Sequence, residues 1–202
     1  MKAVRCLQGM LGLGVTATLL LLWMLASGHG QAGTPDSRIG TVAPEWEVED
    51  WWQGEARQLR ELKGKVVLVR WWTAPGCPYC SASAPALNEF HQRYRREGLE
   101  VVGFYHHKST STLRRDKVKA HAKKLGFQFP LAIDPEWRTL RNWWLDHGER
   151  RWTSVSFLLD RKGVIRHIHP GGQYVRGDDA YRELKAKIEE LLAEDKGVSP
   201  KH

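Results

Sequence analysis

The hydrophobic positions of this chain fall into blocks of changing period, and the blocks predict its elements. Residues 11–26 are almost wholly apolar, centred on Leu19-Leu20-Leu21-Leu22. After a polar stretch, residues 46–48 read as a short edge strand, followed by an exposed Trp51-Trp52-Gln53-Gly54 turn. Residues 59–64 lead into Val66-Val67-Leu68-Val69-Arg70-Trp71-Trp72, whose near-continuous apolarity suits a strand buried on both faces. The period then becomes helical. Pro78 suits a first helical position, where no amide hydrogen is needed, and Gly98 suits the cap, giving a helix over 78–97. Pro85 removes one backbone bond inside that helix and should kink it, which fixes the angle of its two halves to the sheet.

Residues 99–105 read as the next strand, 113–125 as a helix ended by Gly126, 130–133 as a short extended segment and 136–145 as a helix. Residues 155–159 and 164–169, joined by Asp160-Arg161-Lys162-Gly163, read as a β-hairpin. Asp178 caps a last helix reaching about residue 193. Strands alternating with helices, closed by a hairpin and a helix, argue an α/β sandwich around a mixed sheet. No internal repeat or low-complexity segment interrupts this order.

The ends and the charge narrow the setting. The first apolar run lies behind Lys2 and Arg5 and ahead of Ser27, Gly28, Gly30 and Ala32, the order of a secretory signal. It is long for a signal core and slightly short for a membrane span. Residues 1–32 are therefore expected to be a signal peptide cleaved near Ala32 or a single N-terminal membrane anchor. A linker over 33–37, one domain over 38–194 and a polar tail over 195–202 follow. No cysteine directly follows the apolar run, which argues against a lipoprotein. Either way the domain is expected to be exported, to the bacterial periplasm or the outer face of the cytoplasmic membrane. The formal charge is +8, of which Lys2 and Arg5 supply two. The remaining basic runs fall on polar helical stretches, as solvated faces do, so no nucleic-acid partner is expected. The ten tryptophans, mostly paired as Trp51-Trp52, Trp71-Trp72 and Trp143-Trp144, read as core and surface packing.

Cys77-Pro78-Tyr79-Cys80 carries the candidate chemistry, at the junction of the buried strand and the helix. Two thiols at this spacing can close a small disulfide ring and reopen it. A structural zinc site needs four ligands, and the one other cysteine, Cys6, lies in the leader. Reversible dithiol chemistry is the better reading. Cys77 is placed at a helix N-terminus, where unpaired N–H groups and the dipole favour thiolate over thiol. It is the candidate nucleophile, and Cys80, one turn in, the resolver. Pro78 and Tyr79, between the sulfurs, help set the potential. No bound cofactor is needed beyond the redox-active Cys77–Cys80 disulfide. The expected partners are protein thiols or disulfides and a membrane or periplasmic redox donor.

This order resembles the thioredoxin fold, and nearly all of residues 38–194 is similar to its TlpA-like, membrane-tethered periplasmic branch, which shades into the redoxin and peroxiredoxin-like proteins. The resemblance rests on Gly40-Thr41-Val42-Ala43-Pro44, Leu62-Lys63-Gly64-Lys65-Val66-Val67-Leu68-Val69, the cysteine motif, Pro85 and Phe157-Leu158-Leu159-Asp160-Arg161-Lys162-Gly163. It implies a thioredoxin-like three-layer α/β/α sandwich with a mixed central sheet. It also implies an exported thiol–disulfide oxidoreductase that exchanges disulfides with proteins. Three positions depart from the family. Gly76 stands where many relatives have tryptophan, and Trp71 is counted as the position of a buried acid that accepts the second cysteine's proton. Ser154, beside Thr153, stands where the family has a cis-proline, six residues before Asp160. Gly76, Pro78, Tyr79, Thr153 and Ser154 are thus the expected neighbours of the reactive pair.

Two alternatives stand beside this reading. One is a metal-binding or otherwise non-catalytic module of the same fold, with copper held by the two thiolates and a histidine among His106, His107, His167 and His169. The copper-delivery relatives, however, use three residues between their cysteines. The other is a thiol peroxidase, which needs a threonine two residues short of its cysteine; three residues separate Thr73 from Cys77. A glutaredoxin reading, suggested by the same tetrapeptide, fails on the surrounding chain. His107 is a candidate proton acceptor in place of the missing acid.

Overall fold

Alternate residues of the central strand β2 (Val66–Trp72) serve opposite sides of one sheet. Val66, Leu68 and Trp72 pack on one side, Val67, Val69 and Trp71 on the other. Fully burying an aliphatic side chain of this kind contributes about 1.5–3 kcal/mol. The computed structural model describes residues 36–194. The expected leader over 1–32, all but the last two linker positions, and the tail over 195–202 lie outside the described residues. Among the described residues, no helix is long and apolar enough to cross a membrane.

Six strands form the sheet: β1 (Glu49–Trp52), β2, β3 (Leu99–Tyr105), β4 (Leu131–Ile133), β5 (Ser156–Leu159) and β6 (Ile165–His169), in the order β1-β4-β3-β2-β5-β6. β2, β3 and β4 run parallel, and β1, β5 and β6 pair antiparallel with their neighbours, so the sheet is mixed as expected. Helices α1 (Pro78–Tyr94), α2 (Arg115–Lys124) and α3 (Asp179–Ala193) supply the apolar side chains of one layer, among them Ala84, Ala122 and Leu184. The opposite layer is built around tryptophan. Trp46, Trp71 and Trp143 pack edge-on against Phe104 and Phe157 with ring centroids 5.1–5.8 Å apart. Tilted and edge-on contacts of this kind suit the quadrupoles of aromatic rings.

Several expected ends move, each for a local reason. The edge strand lies at Glu49–Trp52 rather than 46–48, so Trp51 and Trp52 are half-buried in a strand rather than exposed in a turn. Trp51 packs on Trp46 and Phe104, while Trp52 joins the helical layer beneath Lys119. Helix α1 stops at Tyr94, and a 3-10 turn over Arg95–Glu97 carries the chain to Gly98 at φ 107°. The single helix expected over 136–145 is three pieces: a 3-10 turn at Pro135–Trp137, an α-turn at Arg138–Leu140 and a π-turn at Arg141–Leu145. The buried Asp134 carboxylate accepts from the Thr139 and Leu140 N–H groups, and Glu136 and Trp137 take φ near 53° and 61° to let it do so. The last helix matches expectation: Asp178 accepts from the Tyr181 N–H at 2.6 Å, and the helix ends at Ala193.

Candidate active site

Cys77 is the N-cap of α1, and its sulfur accepts the Cys80 N–H at 3.2 Å. One backbone donor that a helix start leaves unpaired is thereby spent on the sulfur. Cys77 and Cys80 form a disulfide with Cα atoms 5.3 Å apart. Cys77 is half-buried, whereas Cys80, at 2 % exposure, lies in the layer between sheet and helices. The two sulfurs therefore occupy unlike surroundings, one reachable and one enclosed. Gly76 precedes them at φ 83°, where a residue with a side chain would be strained although nothing stands in its way.

A cleft of about 470 Å³ opens over Cys77, lined by residues 73–79, by Lys108 and Ser109 after β3, and by Trp152, Thr153 and Ser154 before β5. All the expected neighbours, Gly76, Pro78, Tyr79, Thr153 and Ser154, thus meet Cys77 in one cleft. Among the described residues, no carboxylate lines it. Ser154 is fixed by two residues, Arg70 and Gly172. Its carbonyl accepts from Arg70 Nη1 at 2.5 Å, its Oγ accepts the Gly172 N–H at 3.1 Å, and that Oγ lies 3.5 Å from the Gly172 carbonyl. Thr153 Oγ1 is 2.8 Å from Nε2 of the buried His106, whose burial pushes its pKa from 6.5 to about 3 and keeps it neutral.

Two lining residues escaped the sequence. Trp152, 46 % exposed, stands edge-on to Tyr79 with centroids 5.2 Å apart. Gly171 makes room for it: a Cβ there would lie 2.1 Å from that of Trp152. Lys108 brings the charge of this rim. The Ala74–Pro75 bond is cis.

The histidines do not gather at the cysteines. His107 lines an adjoining cleft, with Nδ1 3.0 Å from the Tyr105 hydroxyl and Nε2 2.7 Å from the Ser111 carbonyl, so both ring nitrogens are engaged. His167 lies 3.6 Å from Glu183, and His169 packs edge-on to Tyr174 at 5.1 Å. Among the described residues, no three His, Cys, Asp or Glu side chains could share a metal ion.

The position counted as the buried acid needs correction. Trp71 faces the tryptophan layer and donates its Nε1–H to Asp134 at 2.8 Å. Its two neighbours, Arg70 and Trp72, face the layer of Cys80, and Arg70 is the charged one. It pairs with Ser156 in register with Leu68 and Leu158, which share that layer. Counting back from Cys77 fails because the loop over 73–76 sets the phase, and sequence alone does not show its path.

Comparison with known proteins agrees with this geometry. The chain is 32 % identical over 127 residues to Protein DipZ of Mycobacterium bovis, covering 62 % of this chain but only 17 % of DipZ. It is 26 % identical over 148 residues to the thiol-disulfide oxidoreductase ResA of Halalkalibacterium halodurans, covering 73 % of this chain and 77 % of ResA. The crystal structure of a thiol-disulfide isomerase from Corynebacterium glutamicum superposes with a TM-score of 0.59 at 26 % identity, covering 75 % of this chain and 97 % of that one. The fold is thioredoxin-like, and residues 39–168 match the AhpC/TSA family, to which this chain belongs.

Proposed function

We propose that this protein is an exported thiol–disulfide oxidoreductase that exchanges disulfides with protein partners through Cys77 and Cys80. One observation carries the reading: a helix-capping, reachable Cys77 is bridged to an enclosed Cys80 at the floor of an open cleft. Family membership and the oxidoreductase relative support it. In the reducing direction, the Cys77 thiolate attacks one sulfur of a partner disulfide. The Cys77–partner S–S bond forms as the partner's own breaks, and the leaving partner thiolate takes a proton. Cys80 then gives up its proton and attacks Cys77 Sγ, so that the internal disulfide closes and the second partner sulfur leaves as a thiol. Two electrons and two protons pass from the dithiol to the partner. The oxidising direction is the reverse.

The cleft accounts for how a partner would be held. Tyr79 and Trp152 offer apolar faces, and Lys108 supplies a cation near the sulfur. Export is supported by the apolar run behind Lys2 and Arg5, which serves equally as cleaved signal or retained anchor. A periplasmic or membrane donor of electrons is the partner that such a setting requires. The test is trapping. Cys80→Ser in exported protein should accumulate mixed disulfides that reductant releases, and Cys77→Ser should accumulate none. Absence of trapped species in both variants would count against exchange.

A further inference from the structure

Arg70 is buried to 1 % exposure in the middle of the central strand. It lies opposite Ser156, which lies opposite His169, so the three form one polar rung across β2, β5 and β6. Besides the Ser154 carbonyl, its guanidinium donates to Ser156 Oγ at 3.3 Å and to the Gly172 carbonyl at 2.8 Å. It lies 5.0 Å from the Tyr174 ring. Tyr174 is in turn tied to α1, its N–H donating at 3.1 Å to Ser83, three residues beyond Cys80. These partners are all neutral. Burial pushes His169 down to about 4 and the Tyr174 phenol up, so both are uncharged near neutral pH, and among the described residues no carboxylate acts on Arg70. Burial also pushes Arg70 itself down, yet a guanidinium stays protonated across the physiological range. Its Nε has no hydrogen-bond partner among the described residues. A buried cation without a counter-charge therefore shares its layer with Cys80 and holds the rim residue beside Cys77.

Such a charge acts unequally on the two redox states. The disulfide is neutral. Reduction adds two electrons, leaving Cys80 with a proton and Cys77 as a thiolate, while the donor dithiol becomes a disulfide and releases the remaining proton. Cys77 packs against the edge of that low-dielectric layer, so its new negative charge is attracted to a cation that burial keeps out of water. We propose that Arg70 is a positioning residue for exchange, whose unbalanced buried charge favours the reduced, thiolate-bearing pair and whose guanidinium fixes the Ser154 carbonyl at the cleft rim. This deepens the exchange reading and rests on it. The ionisable groups that interact with Arg70 are His169 from β6, Tyr174 from the segment before α3 and the buried His106 just after β3, which burial keeps neutral; Lys108 is the charged residue of the cleft itself.

The experiment is glutathione equilibration of the full chain carrying Cys6→Ser, alone and with Arg70→Met, Arg70→Gln or Arg70→Lys, with far-UV circular dichroism to confirm folding. Arg70→Met and Arg70→Gln should shift the exchange equilibrium at least tenfold toward the disulfide, about 30 mV for a two-electron couple. Both should also raise the midpoint pH of Cys77 alkylation, and Arg70→Lys should restore both readouts. Folded Arg70→Met within twofold of the parent, or Arg70→Lys behaving like Arg70→Met, would overturn the proposal. If no variant folds, the parent decides: an alkylation midpoint at or above about 8.5, the ordinary thiol value, overturns it, and one well below supports it. A parent with no reversible couple would remove the exchange reading itself, and Arg70's role with it.

Discussion

Two buried charges of opposite sign sit on opposite sides of one sheet, and they are housed differently. Asp134, at 1 % exposure, accepts from Trp71 Nε1 at 2.8 Å, Thr139 N at 2.9 Å and Leu140 N at 2.8 Å. Burial raises its pKa, and those three donors oppose the rise. Arg70, on the other side, meets among the described residues neutral carbonyls, a hydroxyl and a ring. A buried charge surrounded by aimed donors organises architecture, here the broken helical turns over 135–145. One left without a counter-charge keeps its field, and it lies in the layer of the cysteines. The tryptophan side is thus the frame of the molecule, and the helical side carries its chemistry.

The largest effect separating the two sides should come from the cysteines. Cys77→Ser is expected to bring exchange down to the uncatalysed level with the fold intact, read by insulin-disulfide reduction. Acid comes next. Burial holds His106 at about 3 and His169 at about 4, both below the ordinary 6.5, so the unfolded chain binds more protons between those values. The stability these two supply is whole above about pH 6.5 and is lost as pH falls toward 4 and then 3, on the order of a few kcal/mol. Asp36, lowered to about 2 by Arg38, adds a loss of the same sign below its ordinary 3.8, whereas the raised Asp134 works against it. Urea midpoints at pH 7 and 4.5 check this, and equal midpoints would contradict the burial of these imidazoles.

Trp71→Phe should cost about 1–3 kcal/mol by leaving the Asp134 carboxylate short of a donor. It should lower Tm by about 2–4 °C per kcal/mol while leaving the exchange rate unchanged. A changed rate with unchanged Tm would erase the division between frame and chemistry. The smallest effect is expected at the rim. Trp152→Ala removes the edge-on contact with Tyr79 and should change stability by at most about 1 kcal/mol, yet raise KM for a protein disulfide with kcat preserved.

Much of this was legible in the sequence because the deciding contacts are local. Cys77 and Asp178 cap the helices that follow them, Gly98 ends the first helical segment, and Asp160-Arg161-Lys162-Gly163 closes a hairpin. The layered sandwich and the nearness of Thr153 and Ser154 to the cysteines came through the resemblance, not the periodicity. What stayed hidden depends on contacts distant in sequence. Trp51 and Trp52 enter a strand because rings elsewhere cover them, and the helix over 136–145 breaks because Asp134 draws its backbone inward. Arg70 carries no sequence signal beyond its place in a nearly apolar run. Its side of the sheet is fixed by pairing with β5, which no count back from Cys77 reveals.

The most direct test of dithiol exchange at Cys77 and Cys80 is a redox titration of the Cys6→Ser chain against glutathione, followed by its tryptophan fluorescence. A reversible two-electron couple is expected between about −270 and −120 mV, in the more oxidising half of that range if Arg70 acts as proposed. A pair that cannot be reduced and reoxidised reversibly in the folded protein would contradict the exchange reading.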